Sequence, residues 1–290
     1  MEATDFENVR ILDNFYQNSA YYPMPVVLIT TISESRNVNI GPYSLCFPHI
    51  ISRNHSMILI CRSNSNTAMN IKRTKVCAIN FIPYDKKYLK NCVMLGYPGE
   101  TTDEKMKNSN FTLIPSQRSE EEKKPGVEYP DIVQEAFQIF ECTWDETLPI
   151  YIDEETLEMH FILKVDKILM KSKWKDSLFK GKGFPDMPID FGFRDNVHFW
   201  FSRHSSPYSE PIPKEKRVNI NTVMYAATRY DPDIEWTEEA CQKIVRVPRI
   251  FLKTVIKGCV EAAKEEGLSV ITPEFMDKIR DKRSKDKGSK

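Results

Sequence analysis

Residues 23–80 read PMPVVLITTISESRNVNIGPYSLCFPHIISRNHSMILICRSNSNTAMNIKRTKVCAIN. Runs rich in β-branched and apolar residues alternate there with short polar clusters, a pattern typical of strands joined by turns. The predicted strands are Val26–Ile32, Val38–Leu45, Met57–Cys61 and Val76–Phe81. Between the last two, Thr67–Arg73 is predicted to form a short helix, with Asn66 or Thr67 as its N-cap.

The β pattern returns in the middle of the chain. Further strand candidates are Gln138–Thr143, Met159–Met170 and Val197–Phe201, the last being either a strand or the lining of a pocket. A charged helix is predicted over Thr101–Asn110 and an exposed loop over Gln117–Tyr129. No Gly-x-Gly-x-x-Gly or Gly-x-x-x-x-Gly-Lys-Ser/Thr motif occurs, which disfavours the nucleotide-binding βαβ folds. Many short strands with few helices between them predict a mainly β fold with α, built on an antiparallel barrel.

The composition disfavours several classes of protein. A length of 290 residues suits one large domain, or a domain with an appendage. Lys and Arg total 41 and Asp and Glu total 41, so no net charge attracts nucleic acid or an anionic membrane. The N-terminus is acidic, and no apolar run approaches the ~20 residues that a membrane span needs. Neither a signal peptide nor a membrane span is therefore expected.

Seven cysteines and five histidines are scattered without the spacing of metal ligands. Most of the cysteines lie in apolar runs, which predicts reduced, buried thiols and a cytoplasmic protein. Neither a metal site nor a disulfide framework is expected.

A cluster of hydroxyl and amide side chains precedes the predicted short helix. Its members are Arg62, Ser63, Ser65, Thr67 and Asn70. A loop that enters a helix offers free N–H groups and a favourable dipole to a phosphate, and an arginine adds a charge-assisted contact. The alternative is that the hydroxyls only cap the helix and complete a turn. The spacing leaves both interpretations open.

A second candidate segment is the proline-containing strand Asn39–Ser44, which reads NIGPYS. Proline inside a strand removes a ladder donor and marks an edge or a bulge, and the preceding glycine permits close approach of a backbone or a ligand. The N–H groups of Tyr43, Ser44 and Leu45 are then candidates to bind a flat heterocycle. A simple β-bulge at a barrel rim is the alternative. The candidate ring-binding residues are Asn39, Gly41, Pro42, Tyr43, Ser44 and Leu45.

Taken together, these motifs resemble the flavin reductase-like, FMN-binding split-barrel family. The resemblance rests on Pro23–Val26 followed by Thr30-Thr31, on Asn39–Ser44, and on Thr67–Ile71. Their order and spacing agree with the family, and a looser likeness extends over roughly residues 10–205.

The resemblance implies a six-stranded split barrel that forms a homodimer and binds FMN near the subunit interface. On that basis the phosphate would be held by Thr67, Asn70 and the Arg62–Ser65 loop. The isoalloxazine ring would face Asn39–Ser44.

The character of the chain changes after about residue 205, where a Ser- and Pro-rich connector gives way to helical patterns. The predicted organisation is a barrel over 1–205, a connector over 206–235, a small helical module over 236–283 and a basic tail over 284–290. Thr237 is a predicted N-cap, Pro248 suits a first turn, Gly267 suits a helix end and Thr272-Pro273 opens a last helix. The second of these helices has a predicted apolar stripe at Phe251, Val255 and Cys259, widened by Leu252, Ile256 and Val260.

The helical module resembles the C-terminal module of the light-independent protochlorophyllide reductase B subunit. The matching residues are Trp236–Ala240, Val247-Pro248, Val260–Ala262, Gly267 and Ile271–Glu274. Because the metal-cluster domains of that subunit are absent, the resemblance implies a docking or substrate-covering element rather than tetrapyrrole chemistry.

The leading hypothesis is an FMN-dependent oxidoreductase that passes electrons or hydride from a reduced donor, such as NAD(P)H, to a small-molecule or protein acceptor. The alternative is a non-catalytic FMN-binding electron carrier or redox-sensing module that docks a partner through its C-terminal helices. A barrel that has lost its cofactor and only scaffolds partners is a third hypothesis. Donor, acceptor and catalytic residues are not identified by the sequence.

Overall fold

The computed structural model describes residues 6–148, 150–180, 183–193, 197–204, 207–210 and 218–288, without the side chains of 179, 180, 193 and 282–288. The chain divides into two compact units, Met1–Tyr208 and Ser209–Lys290. The predicted boundary at 205–206, residues 211–217 of the predicted connector and the last two residues of the basic tail lie outside the described residues.

The first unit is mainly β. Its strands are β1 (Met24–Pro25), β2 (Val27–Ile32), β3 (Val38–Tyr43), β4 (Cys46–Pro48), β5 (Ser56–Arg62), β6 (Val76–Phe81), β7 (Leu113–Ile114), β8 (Ile132–Val133), β9 (Gln138–Trp144), β10 (Ile152–Asp153), β11 (Glu158–Met170), β12 (Pro188–Phe193) and β13 (Phe199–Arg203). Its helices are α1 (Phe15–Asn18), α2 (Asn66–Thr74), α3 (Lys86–Gly96), α4 (Thr102–Met106) and α5 (Ser172–Lys180).

An antiparallel sheet with the order β3-β2-β6-β9-β11-β5-β4 forms the body of this unit, and β10 pairs with β11. Strands β3 and β4 lie at opposite ends of that order, yet only Ser44 and Leu45 separate them in the chain. The Ile60 N–H donates to the Leu45 carbonyl at 2.9 Å, where the chain passes from one edge to the other. This crossing segment curls the sheet into a barrel, as predicted.

The burial pattern of β2 explains why its sequence does not alternate between apolar and polar residues. All of its residues are buried. Val27 and Ile29 pack inside the barrel with Phe161, whereas Leu28 packs on the opposite face against Leu95 of α3. A strand covered on both faces reads as a continuous apolar run.

The start of the barrel and the end of the unit differ from the prediction. Strand β2 begins at Val27, one residue after the predicted start at Val26, and Met24–Pro25 forms a separate strand, β1, that pairs with β12. The predicted strand Val197–Phe201 is β13, shifted to begin at Phe199, and it joins β1 and β12 in a separate sheet. Helix α3 and strand β12 were not predicted.

The charged loop over 117–129 contains no helix or strand, as predicted, but one of its residues is buried. Arg118 is 9% exposed and pairs with Asp166 at 2.9 Å and Glu141 at 3.7 Å. The prediction of an exposed loop was therefore wrong at Arg118, because its guanidinium pairs with carboxylates on the neighbouring strands β9 and β11, which are remote from it in the sequence.

The second unit is a small helical bundle. Its elements are α6 (Ile220–Tyr230), β14 (Glu235–Trp236), α7 (Glu238–Ile244), α8 (Arg249–Glu265), β15 (Val270–Ile271) and α9 (Pro273–Gly288). Thr237 caps α7, its Oγ1 accepting from the Ala240 N–H at 3.2 Å, and Gly267 has a φ of +67° just after α8. Both local predictions are confirmed.

The structure differs from two of the predictions about this unit. Helix α6 occupies part of the stretch predicted as a connector, and its Val223 and Ala227 belong to the core of the bundle. On α8, Phe251 is 55% exposed, so the stripe predicted through it was wrong there. The buried side is centred on Leu252 and Ile256, because tertiary contacts select one side of a broad apolar face.

Across the described residues, no helix is both long and apolar enough to cross a membrane.

Candidate functional site

A cleft of about 600 Å³ lies in the first unit. Its walls are the end of β3, the loop from β5 into α2, the C-terminal end of α3 and the turn that leads into α4. The predicted site residues that line it are Gly41, Pro42, Tyr43, Arg62, Ser65 and Thr67. The proline-containing strand and the hydroxyl-rich loop therefore face the same space.

The N-terminus of α2 lies at this cleft, which is lined by Ser65, Asn66 and Thr67. Its N-cap is Ser65, whose Oγ accepts from the Ala68 N–H at 3.2 Å. The predicted cap, Asn66 or Thr67, was wrong by one or two residues, because Ser65 is the last residue with an extended backbone. Asn66 instead donates through Nδ2 to the Glu100 carbonyl at 3.1 Å, and so joins the two walls of the cleft.

A buried polar network holds these walls in position. The Asn39 Nδ2 donates to Thr67 Oγ1 at 3.2 Å and to Thr31 Oγ1 at 3.3 Å. The Asn70 Nδ2 donates to the same Thr31 hydroxyl at 3.0 Å, and the Thr102 hydroxyl donates to Asn39 Oδ1 at 3.3 Å. Asn39 and Asn70 do not line the cleft, so these two predicted residues brace it instead.

Gly41 brings β3 close to the start of α2. A Cβ atom placed on Gly41 would lie 2.5 Å from Thr67 Oγ1 and 2.8 Å from the Tyr43 ring. Real Cβ contacts are not this short, so only glycine fits here without a shift of its neighbours. The sequence predicted close approach of a backbone or a ligand at this glycine, whereas its neighbours in the structure are side-chain groups, the Thr67 hydroxyl and the Tyr43 ring.

The phenol of Tyr43 is a neutral donor. Burial raises the pKa of Tyr43 well above its usual value, and the hydroxyl donates to Ser65 Oγ at 3.4 Å. Tyr43 therefore contacts both segments of the site without adding charge.

Besides Asn39 and Asn70, three further predicted residues do not line the cleft. The Ser44 hydroxyl donates to the buried carboxylate of Asp190, and Ser44 lines an adjacent cavity of about 110 Å³ that shares Pro42, Tyr43 and Gly96 with the cleft. The Leu45 carbonyl is used in the barrel crossing, and the Ser63 N–H donates to the Leu157 carbonyl at 2.7 Å. The structure does not bring these three to the same space as Thr67.

The charge of the cleft is set by Arg62, Lys105 and Glu100. Arg62 is exposed and makes no ion pair with any described residue. Lys105 is only 6% exposed, and its Nζ donates to the Leu95 carbonyl at 3.5 Å. Burial lowers the pKa of Lys105 to about 8, and the nearby Glu100 carboxylate opposes that shift. Two cations and one acid favour an anionic ligand.

Sequence reasoning missed Lys105. It stands in a run of charged residues beside Lys107, which is exposed, and composition does not distinguish the two. A capping box between Thr101 and Glu104 sets the start of α4, which places Thr102 and Lys105 on the same buried side. That motif was the available signal.

No family model matches the chain, and no curated protein does either. Solved structures do resemble it. The 2-nitrobenzoate 2-nitroreductase NbaA of Pseudomonas fluorescens aligns over 69% of this chain and 89% of its own, at 15% identity and a TM-score of 0.52. An FMN-binding protein of Thermus thermophilus, with bound p-hydroxybenzaldehyde, aligns over 72% and 100%, at 14% identity and a TM-score of 0.51.

The flavoredoxin of Methanosarcina acetivorans aligns over 71% of this chain and 95% of its own, at 16% identity and a TM-score of 0.50. Identities this low show the fold alone. The chain therefore carries the antiparallel split barrel found in flavin reductases and FMN-binding proteins, together with C-terminal helices.

Proposed function

We propose that the first unit binds FMN in the cleft and passes electrons or hydride from a reduced donor, such as NAD(P)H, to an acceptor. The observation that carries this proposal is the convergence of Gly41–Tyr43 and Arg62–Thr67 on one cleft. The barrel fold shared with an FMN-binding protein supports it.

The residues present fit a flavin nucleotide. A volume of about 600 Å³ lies within the ~300–1,000 Å³ common for small-molecule sites. The N-terminus of α2, Arg62 and the hydroxyls of Ser65 and Thr67 supply donors suited to a phosphate. The segment Gly41–Tyr43 has no bulky side chain except the Tyr43 ring, which suits a flat ring system.

When bound, FMN would supply the two-electron chemistry, and the protein would supply binding, orientation and electrostatics. Arg62 would hold the phosphate, while the Asn39 and Asn70 amides keep Thr67 and β3 in place. Tyr43, neutral at any physiological pH because burial raises its pKa, would hold Ser65 without repelling an anion.

The experiment that tests this function is a titration of the purified protein with FMN and riboflavin, followed by flavin absorption and fluorescence. Removing a charge-assisted hydrogen bond costs ~1.5–3 kcal/mol, so Arg62→Ala should weaken FMN binding about 10–100-fold. Combined with Thr67→Ala, it should abolish the bound flavin band. Ser63→Ala is the matched control, because Ser63 does not line the cleft. A wild-type protein that FMN leaves spectrally unchanged would contradict the proposal.

We further infer that the protein is a cytoplasmic homodimer. Large apolar side chains on the N-terminal segment are exposed, at 92% for Phe6, 82% for Ile11 and 85% for Tyr21. Exposed apolar patches mark interaction surfaces. The burial of all seven cysteine side chains supports a reducing compartment. Light scattering tests the dimer: a mass near the 33.8 kDa of one chain would oppose it.

A non-catalytic carrier or redox-sensing module is the second candidate. The observation that favours it lies at the start of α8, where Ile250 is 80% and Phe251 is 55% exposed beside Arg246 and Arg249. Such a patch suits a protein partner with an acidic and apolar surface. Steady-state NAD(P)H oxidation separates the candidates: turnover with a small acceptor supports the enzyme, and tight FMN without turnover supports the carrier.

A further inference from the structure

Lys105 is a buried cation whose position the fold alone does not explain. Its side chain reaches the cleft from α4 while only 6% of the residue is exposed. Among the described residues, the side-chain ammonium makes one hydrogen bond, to the Leu95 carbonyl at 3.5 Å, the outer limit for such a bond. An ammonium group has three donors, so most of its capacity is unused.

A buried ammonium without a bonded carboxylate destabilises the folded chain. An apolar side chain of the same length would pack there without that cost. The aliphatic stem could be buried for packing alone, but Lys105 would then direct its Nζ to bulk water. It is directed instead to the end of α3, where backbone carbonyls carry partial negative charge.

The position of Lys105 is set by the same network that braces the cleft. Thr102, three residues earlier, is bonded to Asn39 Oδ1 at 3.3 Å, which ties α4 to β3. Leu95 precedes Gly96, where an added Cβ would lie 3.1 Å from the Pro42 ring. The ammonium therefore lies at the end of α3, whose next residue, Gly96, approaches the candidate ring-binding strand.

We propose that Lys105 binds an anionic group of the cofactor directly, an inference that rests on the proposed FMN site. That group is either the phosphate or the pyrimidine edge of the ring, which gains negative charge on reduction. In both cases the anionic group of the ligand takes the place that a carboxylate would have in a buried ion pair with Lys105. The depressed pKa of Lys105 agrees with a cation that lacks such a partner until the ligand binds.

The test compares wild type with Lys105→Met, which removes the charge, and Lys105→Arg, which keeps it. Dissociation constants for FMN and riboflavin and the midpoint potential of the bound flavin are measured. Lys105→Met should weaken FMN binding at least tenfold, Lys105→Arg less, and the exposed control Lys107→Met not at all. Lys105→Gln, an uncharged donor, serves as a second neutral variant if the methionine variant does not fold.

The two sources of negative charge give different results. If Lys105 faces the phosphate, the neutral variants lose affinity for FMN but not for riboflavin. If it faces the ring, both ligands are affected and the midpoint potential falls, because the reduced form loses a cation. If the wild type binds FMN and both neutral variants keep its dissociation constants and midpoint potential, the role of Lys105 is overturned but the proposed function is not. Failure of the wild type to bind FMN overturns the proposed function as well.

Discussion

Gly41 and Thr67 approach so closely that a Cβ atom on Gly41 would lie 2.5 Å from Thr67 Oγ1. The two residues stand on different elements, β3 and α2, and each lines the cleft. This contact joins the proline-containing strand to the start of the helix, and the geometry of the candidate site depends on it.

We expect Gly41→Ala to destabilise the protein by ~1–3 kcal/mol, because the new methyl group must displace the Thr67 hydroxyl or the Tyr43 ring. Thr67→Ala removes the closer of the two contacts, so the double variant should be less destabilised than the sum of the single variants. Urea unfolding of the four proteins measures this coupling. Strict additivity would mean that the two residues do not touch in solution.

Ser65 should affect both the helix and the ligand. Ser65→Ala removes the N-cap bond to the Ala68 N–H, which costs ~1 kcal/mol of unfolding free energy. It also removes a hydroxyl from the cleft, so FMN binding should weaken. Ser63→Ala is again the control, and thermal unfolding with and without FMN gives both quantities. Equal effects of the two substitutions would argue against the cleft as the phosphate site.

The affinity for FMN should depend on pH through Lys105. The pKa of Lys105 is lowered from 10.5 to about 8 by burial. An anionic ligand favours the ammonium and raises that pKa, so binding should be strongest below pH 8 and weaken as the pH rises above it. The other charged or titratable groups that line the cleft are Arg62, Glu100, Tyr43 and Tyr97. Dissociation constants measured from pH 6.5 to 9.5 test this, and the dependence should flatten in Lys105→Met.

Without ligand, Lys105 acts on stability in the opposite direction. Between pH 8 and 10.5 the unfolded chain binds the lysine proton more tightly than the folded chain. The unfolding free energy therefore gains a contribution as the pH rises through that window, and this contribution is missing below it. Denaturation of wild type and Lys105→Met at pH 7 and pH 9.5 isolates the effect. A pH-independent difference between the two proteins would exclude it.

The buried pair between Arg118 and Glu141 should matter far more than a surface pair. Arg118→Met leaves the Glu141 carboxylate, which accepts from Ser116 Oγ at 2.5 Å, buried without a cation. Removing one partner of a buried ion pair costs ~3–5 kcal/mol. Arg36→Met breaks an exposed pair with Glu128 and should cost no more than ~1 kcal/mol. Denaturant midpoints, with limited proteolysis of the 117–129 loop, distinguish the two variants.

Much of the fold was accessible from local patterns. The strands around β2, β3, β5 and β6, the short helix after Ser65, and the helix signals at Thr237 and Gly267 depend on neighbouring residues and their backbone preferences. Errors of one or two residues, as at the α2 cap, arose because several adjacent polar residues are equally good caps by type. The buried side of α8 was predicted only in part, since local periodicity does not say which half of a broad apolar face meets the core.

The sequence by itself determined that short strands dominate the first two hundred residues, and that a hydroxyl-rich turn and a proline-containing strand stand out as candidate ligand contacts. Only the tertiary structure decided which of those side chains share a cleft, and it divided them: Thr67 and Tyr43 line it, Asn39 and Asn70 brace it, and Ser44 turns to Asp190. It also brought in Lys105, nearly forty residues from Thr67. The reason is physical: backbone preference and periodicity act over a few residues, whereas burial and charge depend on segments that meet only when the sheet closes.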